Sequence, residues 1–288
     1  MQSQYSLTSA FAAICMGAMV VPGGGGGTLL GGYLTKRLRL SRSGVIKMWL
    51  YAQLITVPCV FGLLFYCDNP PFAGINTLYP EQTDLDLSAP CNDGCYCDPK
   101  QYNPVCGADK RMYFSPCFAG CLGDSPGGNV TAYSGCGCVV SEAEATAAKG
   151  SCKTGCDLFP YFMTVMSVST FFTFMSAMPN VVATLRSVEP VYRSLALGIE
   201  SIITRLLGTI PGPFIVGSII DKSCVKWSTQ ECSDALGSCL VYDNYKMALY
   251  MLLSIVTVKI LGLVAFSLAL FFSKRSHIKD DHHLEDEE

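Results

Sequence analysis

The chain alternates between long apolar runs and polar stretches. A helix needs roughly 20 apolar residues to cross the hydrocarbon core of a bilayer. The apolar residues here are bunched into such runs, and they are not spaced at the period of 3.6 or 2 that a half-buried soluble helix or strand shows. We therefore predict five membrane-spanning helices, at about residues 10–34, 48–66, 158–185, 194–220 and 247–272.

The last two predicted spans contain charged residues, whereas the first three do not. Glu200 and Arg205 lie in the fourth span and Lys259 lies in the fifth. An ionisable residue inside a span costs about 3 kcal/mol on insertion scales, so it usually faces a cavity or a partner. Arg205 and Lys259 are therefore candidates for binding the anionic group of a substrate.

The alternative for both cations is structural: they pair with acids, or their long side chains reach an interface. Glu200 is the obvious acid for Arg205. It lies about 140° from Arg205 around the helix, which makes direct pairing awkward.

Composition agrees with a membrane protein, because 50% of residues are hydrophobic and only 15% are charged. No basic stripe with interleaved aromatic residues indicates nucleic-acid binding. The histidines are confined to the C-terminal tail, at His277, His282 and His283. No base lies beside a nucleophile, so we expect no catalytic site, no metal site, no cofactor and no enzymatic activity.

Basic residues predict the orientation of the spans, because short loops rich in Lys and Arg stay cytoplasmic. The loop after the first span, the loop after the third and the end of the fifth are all basic. This pattern predicts an extracellular N-terminus and a cytoplasmic C-terminus. The residues are Lys36, Arg37, Arg39, Arg42, Lys47, Arg186, Arg193, Lys274 and Arg275.

Cysteines mark the loop after the second span as a separate extracellular module. Disulfides belong to oxidising compartments, and the sequon that begins at Asn129 is an N-glycosylation acceptor in the same loop. The even count predicts five internal disulfides, whose connectivity the spacing leaves open. Zinc is the alternative partner for closely spaced cysteines, but the loop has no His. The cysteines are Cys91, Cys95, Cys97, Cys106, Cys117, Cys121, Cys136, Cys138, Cys152 and Cys156.

Four further cysteines lie on the same predicted side of the membrane, and we expect them to form a second set of bridges. They are Cys67, Cys224, Cys232 and Cys239.

These features divide the chain into four parts. Residues 1–67 hold two spans and a basic loop, and residues 68–157 form the extracellular module. Residues 158–273 hold three spans and a cysteine-containing outer loop, 221–246. Residues 274–288 form an acidic cytoplasmic tail.

Glycines concentrate in the first span, where Pro22 is followed by a run from Gly23 to Gly27 and then by Gly31 and Gly32. Small residues let helices approach closely, and we favour this interpretation. The alternative is a broken helix that lines a substrate site.

The stretch 104–121 resembles the core of Kazal-type inhibitors. It begins with Pro104-Val105-Cys106-Gly107, continues through Tyr113 and ends with the pair Cys117 and Cys121. Lys110 stands where that family usually has Gly, and the extra cysteines at both ends exceed the simple pattern.

A Kazal-like module between membrane spans is similar to that of the organic anion transporting polypeptides. The stretches 31–40, 186–198, 203–213 and 217–227 resemble segments of that family's later spans. The resemblance implies an all-α polytopic membrane protein, a partial major facilitator fold that matches the eighth to twelfth of twelve spans. It also places Arg205 at an Arg of the family motif.

The function implied by the resemblance is sodium-independent transport of amphipathic organic anions by alternating access at the plasma membrane. Bile salts, steroid conjugates, hormones or prostanoids are the implied substrate classes. The chain is expected to be a C-terminal fragment, inactive without an N-terminal half or another copy. Two alternatives stay open: a membrane-tethered Kazal inhibitor that offers Lys100 to a protease, and an accessory membrane protein that does not transport.

Overall fold

A computed structural model describes residues 2–5, 7–124, 132–141, 145–152, 155–230 and 233–285. The predicted glycosylation site Asn129 and the predicted disulfide residue Cys232 lie outside these residues. The chain forms two compact units. One comprises Met1–Thr8, Cys67–Cys156 and Asp221–Lys246, and the other comprises Ser9–Tyr66, Asp157–Ile220 and Met247–Glu288.

The helical unit contains the five predicted spans. Across the described residues, five helical stretches are long and apolar enough to cross a membrane: Ser9–Arg37, Ser43–Leu64, Phe159–Ser187, Pro190–Asp221 and Asn244–Phe272. Each lies within a few residues of its predicted range, because the length of an uncharged apolar run sets the length of the span.

Some of these stretches consist of two or more consecutive helical segments. A four-residue helix α1, Gln2–Tyr5, precedes α2, Ser9–Arg37, and α3, Arg42–Val60, continues into a 3₁₀ turn at Phe61–Leu64. The third span consists of α4, Phe159–Met175, and α5, Ala177–Ser187. The fourth consists of α6, Arg193–Thr204, a π-helical turn, Arg205–Thr209, and α7, Pro211–Asp221. The last helix, α8, runs from Asn244 to Glu285.

Glycines bring α2 into backbone contact with α4. Gly23, Gly27 and Gly31 recur every four residues and are all buried. A Cβ atom at Gly27 would lie 2.5 Å from the carbonyl oxygen of Phe171, a distance that no side chain tolerates. The helix is continuous through Pro22 and the glycine run. The close-packing interpretation is therefore confirmed, and the broken helix is not found.

A wide turn interrupts the fourth span at its centre. The amide of Ile210 donates to the carbonyl of Arg205, five residues earlier, at 2.9 Å. Pro211 follows directly; it has no N–H to continue the α-helical ladder and its ring would crowd the carbonyl four residues before it. The π turn accommodates that proline, and such turns are frequent at functional sites.

The disulfide-rich unit contains a small antiparallel sheet. Its strands are β1, Val105–Gly107, β2, Met112–Tyr113, β3, Gly123–Asp124, β4, Ala132–Ser134, and β5, Ala147–Lys149. They are arranged in the order β2-β1-β5-β4-β3. One buried cluster forms around Tyr79, Val105 and Tyr113, and a second forms around Phe114 and Phe118.

The loop 221–246 contains a hairpin of β6, Cys224–Gln230, and β7, Ser233–Tyr242, which was not predicted from the sequence. Leu240 and Val241 pack against the cluster around Phe114. Asn244 donates from its side chain to the carbonyl of Cys67 at 3.0 Å and from its backbone to Asn69 at 3.0 Å. These contacts join the hairpin to the sheet in one unit.

Six disulfides form among the described residues, all in this unit. They pair Cys67 with Cys156, Cys91 with Cys138, Cys97 with Cys117, Cys106 with Cys152, Cys121 with Cys136 and Cys224 with Cys239.

This pairing corrects the expectation of five bridges closed within the module. Cys156 bonds to Cys67 instead, because the two residues flank the module at its base, before Asp68 and after Gly155. Cys67 is then no longer available to the second set, and among the described members of that set Cys224 is bonded to Cys239. Cys95 is unpaired among the described residues.

Candidate functional site

Arg205 lies at the start of the π turn in the middle of the fourth span. Its side chain is exposed and makes no hydrogen bond or ion pair with any other described residue. Glu200 does not pair with it, as the angular separation of the two residues predicted. A cation at this depth that no described residue neutralises attracts an anion.

Glu200 has a different partner, which sequence analysis missed. Its Oε1 atom accepts a hydrogen bond from the side-chain amide of Asn180 on α5 at 3.1 Å. Its Oε2 atom is buried without a partner among the described residues. The polar contact therefore joins the third span to the fourth and leaves Arg205 uncompensated.

Lys259 is held by two polar residues of α3. Its Nζ atom donates to Gln53 Oε1 at 2.6 Å and to Thr56 Oγ1 at 2.9 Å. Thr56 is fully buried and Gln53 is 5% exposed. Neither acceptor was predicted from the sequence. The available signal was that Gln53 and Thr56 lie three residues apart, on one helix face of an otherwise apolar span.

A cavity of about 540 Å³ lies beside Lys259. Its walls come from α3, from the second half of the fourth span and from α8. They are apolar except at Lys259, Gln53 and Ser254. Arg205 is not among the lining residues, so the structure does not bring the two predicted substrate-binding cations to one cavity.

A second cavity, of about 330 Å³, lies between α2 and α4 and has no charged residue in its wall. Its lining includes Met19, Pro22, Phe171 and Phe172. Among the residues that the structure describes, no cluster of His, Cys, Asp and Glu could hold a metal ion.

The stretch 104–121, for which a Kazal-like core was expected, contains the hairpin of β1 and β2. Lys110 adopts a φ of 61° at the turn, a conformation that favours glycine, the residue usual at this place in Kazal inhibitors. Lys100, the residue that an inhibitor would offer, lies in a tight turn in which its amide donates to Asp98 Oδ1 at 2.9 Å. That turn is not an extended segment of the kind that lies along a protease cleft.

Comparison with known proteins decides the family. The family model of the Organic Anion Transporter Polypeptide (OATP) family matches residues 1–247. The chain belongs to the organic anion transporter polypeptide family. The predicted fold class is thereby confirmed as a partial major facilitator fold of five spans with a disulfide-rich insertion.

Several members of this family are similar to the chain over nearly its whole length. Solute carrier organic anion transporter family member 4A1 of Mus musculus is 41% identical over 97% of this chain. Member 4C1 of Mus musculus is 40% identical over 95% of it, and member 1B2 of Rattus norvegicus is 31% identical over 97%. The chain spans 40% of the length of member 4A1 and 39% of the length of member 4C1.

Proposed function

We propose that this chain is part of a transporter that moves amphipathic organic anions across the plasma membrane by alternating access, without sodium. The observation that carries the proposal is the unpaired guanidinium of Arg205 at the π turn of the fourth span. The names of the relatives describe organic anion transporters, which supports anions as the substrate class.

Electrostatics favours a substrate role for Arg205. A charge kept at the centre of a span is unfavourable by about 3 kcal/mol on insertion scales, and pairing with a carboxylate inside the protein would offset part of that. Glu200 instead accepts from Asn180. A carboxylate or sulfate arriving as substrate would supply the missing negative charge, and a guanidinium can hold either one in bidentate geometry.

The major facilitator architecture supports a partner for the face that carries Arg205. In such transporters the substrate site lies near the midplane between two repeats. We propose that an N-terminal half, or a second copy of this chain, covers that face and completes the pathway. The disulfide-rich unit is then extracellular, Kazal-like and carries glycan at Asn129, and the tail from residue 274 is cytoplasmic.

Substitution of Arg205 tests this function in a full-length transporter that contains this chain. We expect Arg205→Met to lower kcat/KM for uptake of a sulfated steroid into proteoliposomes by about tenfold or more, because a charge-assisted hydrogen bond contributes about 1.5–3 kcal/mol. Arg205→Lys keeps the positive charge and should retain part of the activity.

Lys222→Met removes an exposed cation directly after the same span and is the matched control. Its uptake should equal that of the unmodified protein at equal amounts of reconstituted protein. If Arg205→Met and Lys222→Met transport equally well, Arg205 does not bind the substrate.

A further inference from the structure

We propose that the cavity beside Lys259 is a second binding site, separate from Arg205, for an amphiphile with one anionic head group and an apolar body. The proposal concerns binding and goes beyond the transport function, because Arg205 is not part of this wall.

The charge of Lys259 is only partly satisfied. An ammonium group has three N–H donors, and two of them are used on Gln53 and Thr56. Both acceptors are neutral. Among the described residues, no Asp or Glu forms an ion pair with Lys259. One donor and the full positive charge therefore remain for a ligand.

The ammonium group of Lys259 lies too deep in the span to be hydrated at a membrane interface while it keeps its hydrogen bonds. Lys259 is the sixteenth residue of the span Asn244–Phe272, close to its centre. Reaching either interface would take the Nζ atom away from Gln53 and Thr56, to which it is bonded. Ionisable groups at such a depth are expensive and usually mark a ligand or ion site.

The walls fit the apolar body of such a ligand. Ile215, Val216 and Ile219 line the cavity from α7, and Ile255 and Val258 line it from α8. A volume of about 540 Å³ lies inside the range of roughly 300–1,000 Å³ in which proteins bind small molecules. An apolar cavity with a single cationic group selects amphiphiles that carry one negative charge.

Trp49 provides a reporter inside the cavity. Its ring lines the wall and stacks on Phe266, with the two centroids 3.7 Å apart. The chain has 2 tryptophans, and the other, Trp227, belongs to β6 in the disulfide-rich unit. A Trp227→Phe background therefore leaves Trp49 as the only source of tryptophan fluorescence.

The experiment measures quenching of Trp49 by brominated amphiphiles in the full chain, reconstituted in phosphatidylcholine vesicles. Dibromostearate carries a carboxylate, and dibromostearyl alcohol has the same body without the charge. We expect saturable quenching by the acid at a concentration at least tenfold lower than by the alcohol, because a charge-assisted hydrogen bond contributes about 1.5–3 kcal/mol. Equal affinities for the two probes would overturn the proposal without any variant.

Variants distinguish two roles of Lys259: binding an anion, and stabilising the contact between α8 and α3 through its hydrogen bonds. Lys259→Met should weaken binding of the acid by about tenfold and leave binding of the alcohol unchanged. Thr56→Val removes one acceptor but keeps the charge, so binding of the acid should be retained. Loss of acid binding in Thr56→Val to the same extent as in Lys259→Met would mean that Lys259 only fastens the two helices.

Lys246→Met is the matched control on the same helix. Lys246 forms an ion pair with Asp243 at 3.4 Å and lies outside the cavity, so this variant should bind the acid as tightly as the unmodified chain. A similar loss in Lys246→Met and Lys259→Met would contradict a specific site.

Two arms distinguish the sources of the ligand. Phosphatidylglycerol with brominated acyl chains tests a bilayer lipid, and free dibromostearate tests a dissolved amphiphile. Quenching by either that depends on Lys259 supports the site and assigns its source. Quenching by neither overturns it.

Discussion

At the scale of a single residue, the phenol of Tyr113 links β2 to the segment that contains Cys138 in the disulfide-rich unit. Its single O–H is shared between two acceptors, Asp109 Oδ2 at 2.8 Å and the carbonyl of Cys138 at 3.0 Å. Burial, and then the nearby Asp109, raise the pKa of Tyr113 above its ordinary value of 10.0. The neutral phenol is therefore the form that the folded unit favours.

Tyr113→Phe should destabilise the disulfide-rich unit by about 1–3 kcal/mol, because it removes the buried O–H that the Cys138 carbonyl and Asp109 share. Tyr79→Phe is the matched control and should have a smaller effect. Tyr79 donates to the carbonyl of Phe118, which also accepts from Asn92 Nδ2 at 3.1 Å. Pulse proteolysis of the full chain in urea measures both differences.

The pH dependence of stability gives a second readout of the same interaction. A pKa that folding raises contributes stability that is fully present below the ordinary value and is lost as the pH rises from there through the folded pKa. The unit should therefore lose stability above about pH 10, and the loss should be smaller in Tyr113→Phe. The same loss in both proteins would show that this phenol is not responsible.

Individual residues also show the limits of sequence analysis. The charges of Arg205 and Lys259 were visible in the sequence, because each interrupts an otherwise apolar run, where a charge is unfavourable. The partners were not visible. Gln53 and Lys259 are 206 residues apart in sequence, and Cys67 and Cys156 are separated by 89. Such pairings depend on tertiary packing, so spacing alone leaves them open.

At the scale of helices, contact between α2 and α4 depends on the absence of side chains. Gly27→Val should destabilise this packing by about 1–3 kcal/mol, because an added side chain must displace the backbone of Phe171. Thermal unfolding of the full chain in detergent micelles would show this as a lower Tm.

Gly25→Ala provides the control on the same helix. A Cβ atom at Gly25 meets nothing within 4 Å, so this variant should unfold at the same Tm or slightly above it, since alanine favours helix over glycine. Equal Tm values for Gly27→Val and the unmodified chain would contradict the close approach.

The membrane-spanning helices were predicted from the sequence, whereas the π turn and the β6–β7 hairpin were not, and the difference has physical reasons. The first span was expected at residues 10–34 and is found at Ser9–Arg37, because an uncharged apolar run determines a membrane helix almost alone. The π turn at Arg205–Thr209 was not predicted. It depends on how Pro211 is accommodated in a packed helix, which hydrophobic periodicity does not report. The hairpin of β6 and β7 was also missed, since its strands are stabilised by a disulfide and by packing in the unit.

Three segments distant in sequence form the disulfide-rich unit: Met1–Thr8, Cys67–Cys156 and Asp221–Lys246. Two of them contain bonded cysteines. Because disulfides persist in oxidising compartments, we expect these segments on the same, extracellular side of the membrane. The three segments precede the first span, follow the second and follow the fourth. Each is separated from the next by two spans, so a chain that changes sides at every span places all three on the same side of the membrane.

At the scale of the whole molecule, this grouping predicts an extracellular N-terminus and a cytoplasmic C-terminus. The test places single cysteines on two loops that are separated by three spans, so that the two must lie on opposite sides. Leu38→Cys lies beside Lys36 and Arg37 after the first span, where the side chain is 59% exposed. Lys222→Cys lies after the fourth span, at an exposed position.

The unpaired cysteines Cys15, Cys59 and Cys95, together with Cys232, are first replaced by serine so that labelling comes from the introduced thiol. A membrane-impermeant maleimide should label Lys222→Cys on intact cells and Leu38→Cys only after permeabilisation, because short basic loops are retained in the cytoplasm. Labelling of Leu38→Cys on intact cells, with Lys222→Cys protected, would reverse the orientation and place the disulfides in the reducing compartment.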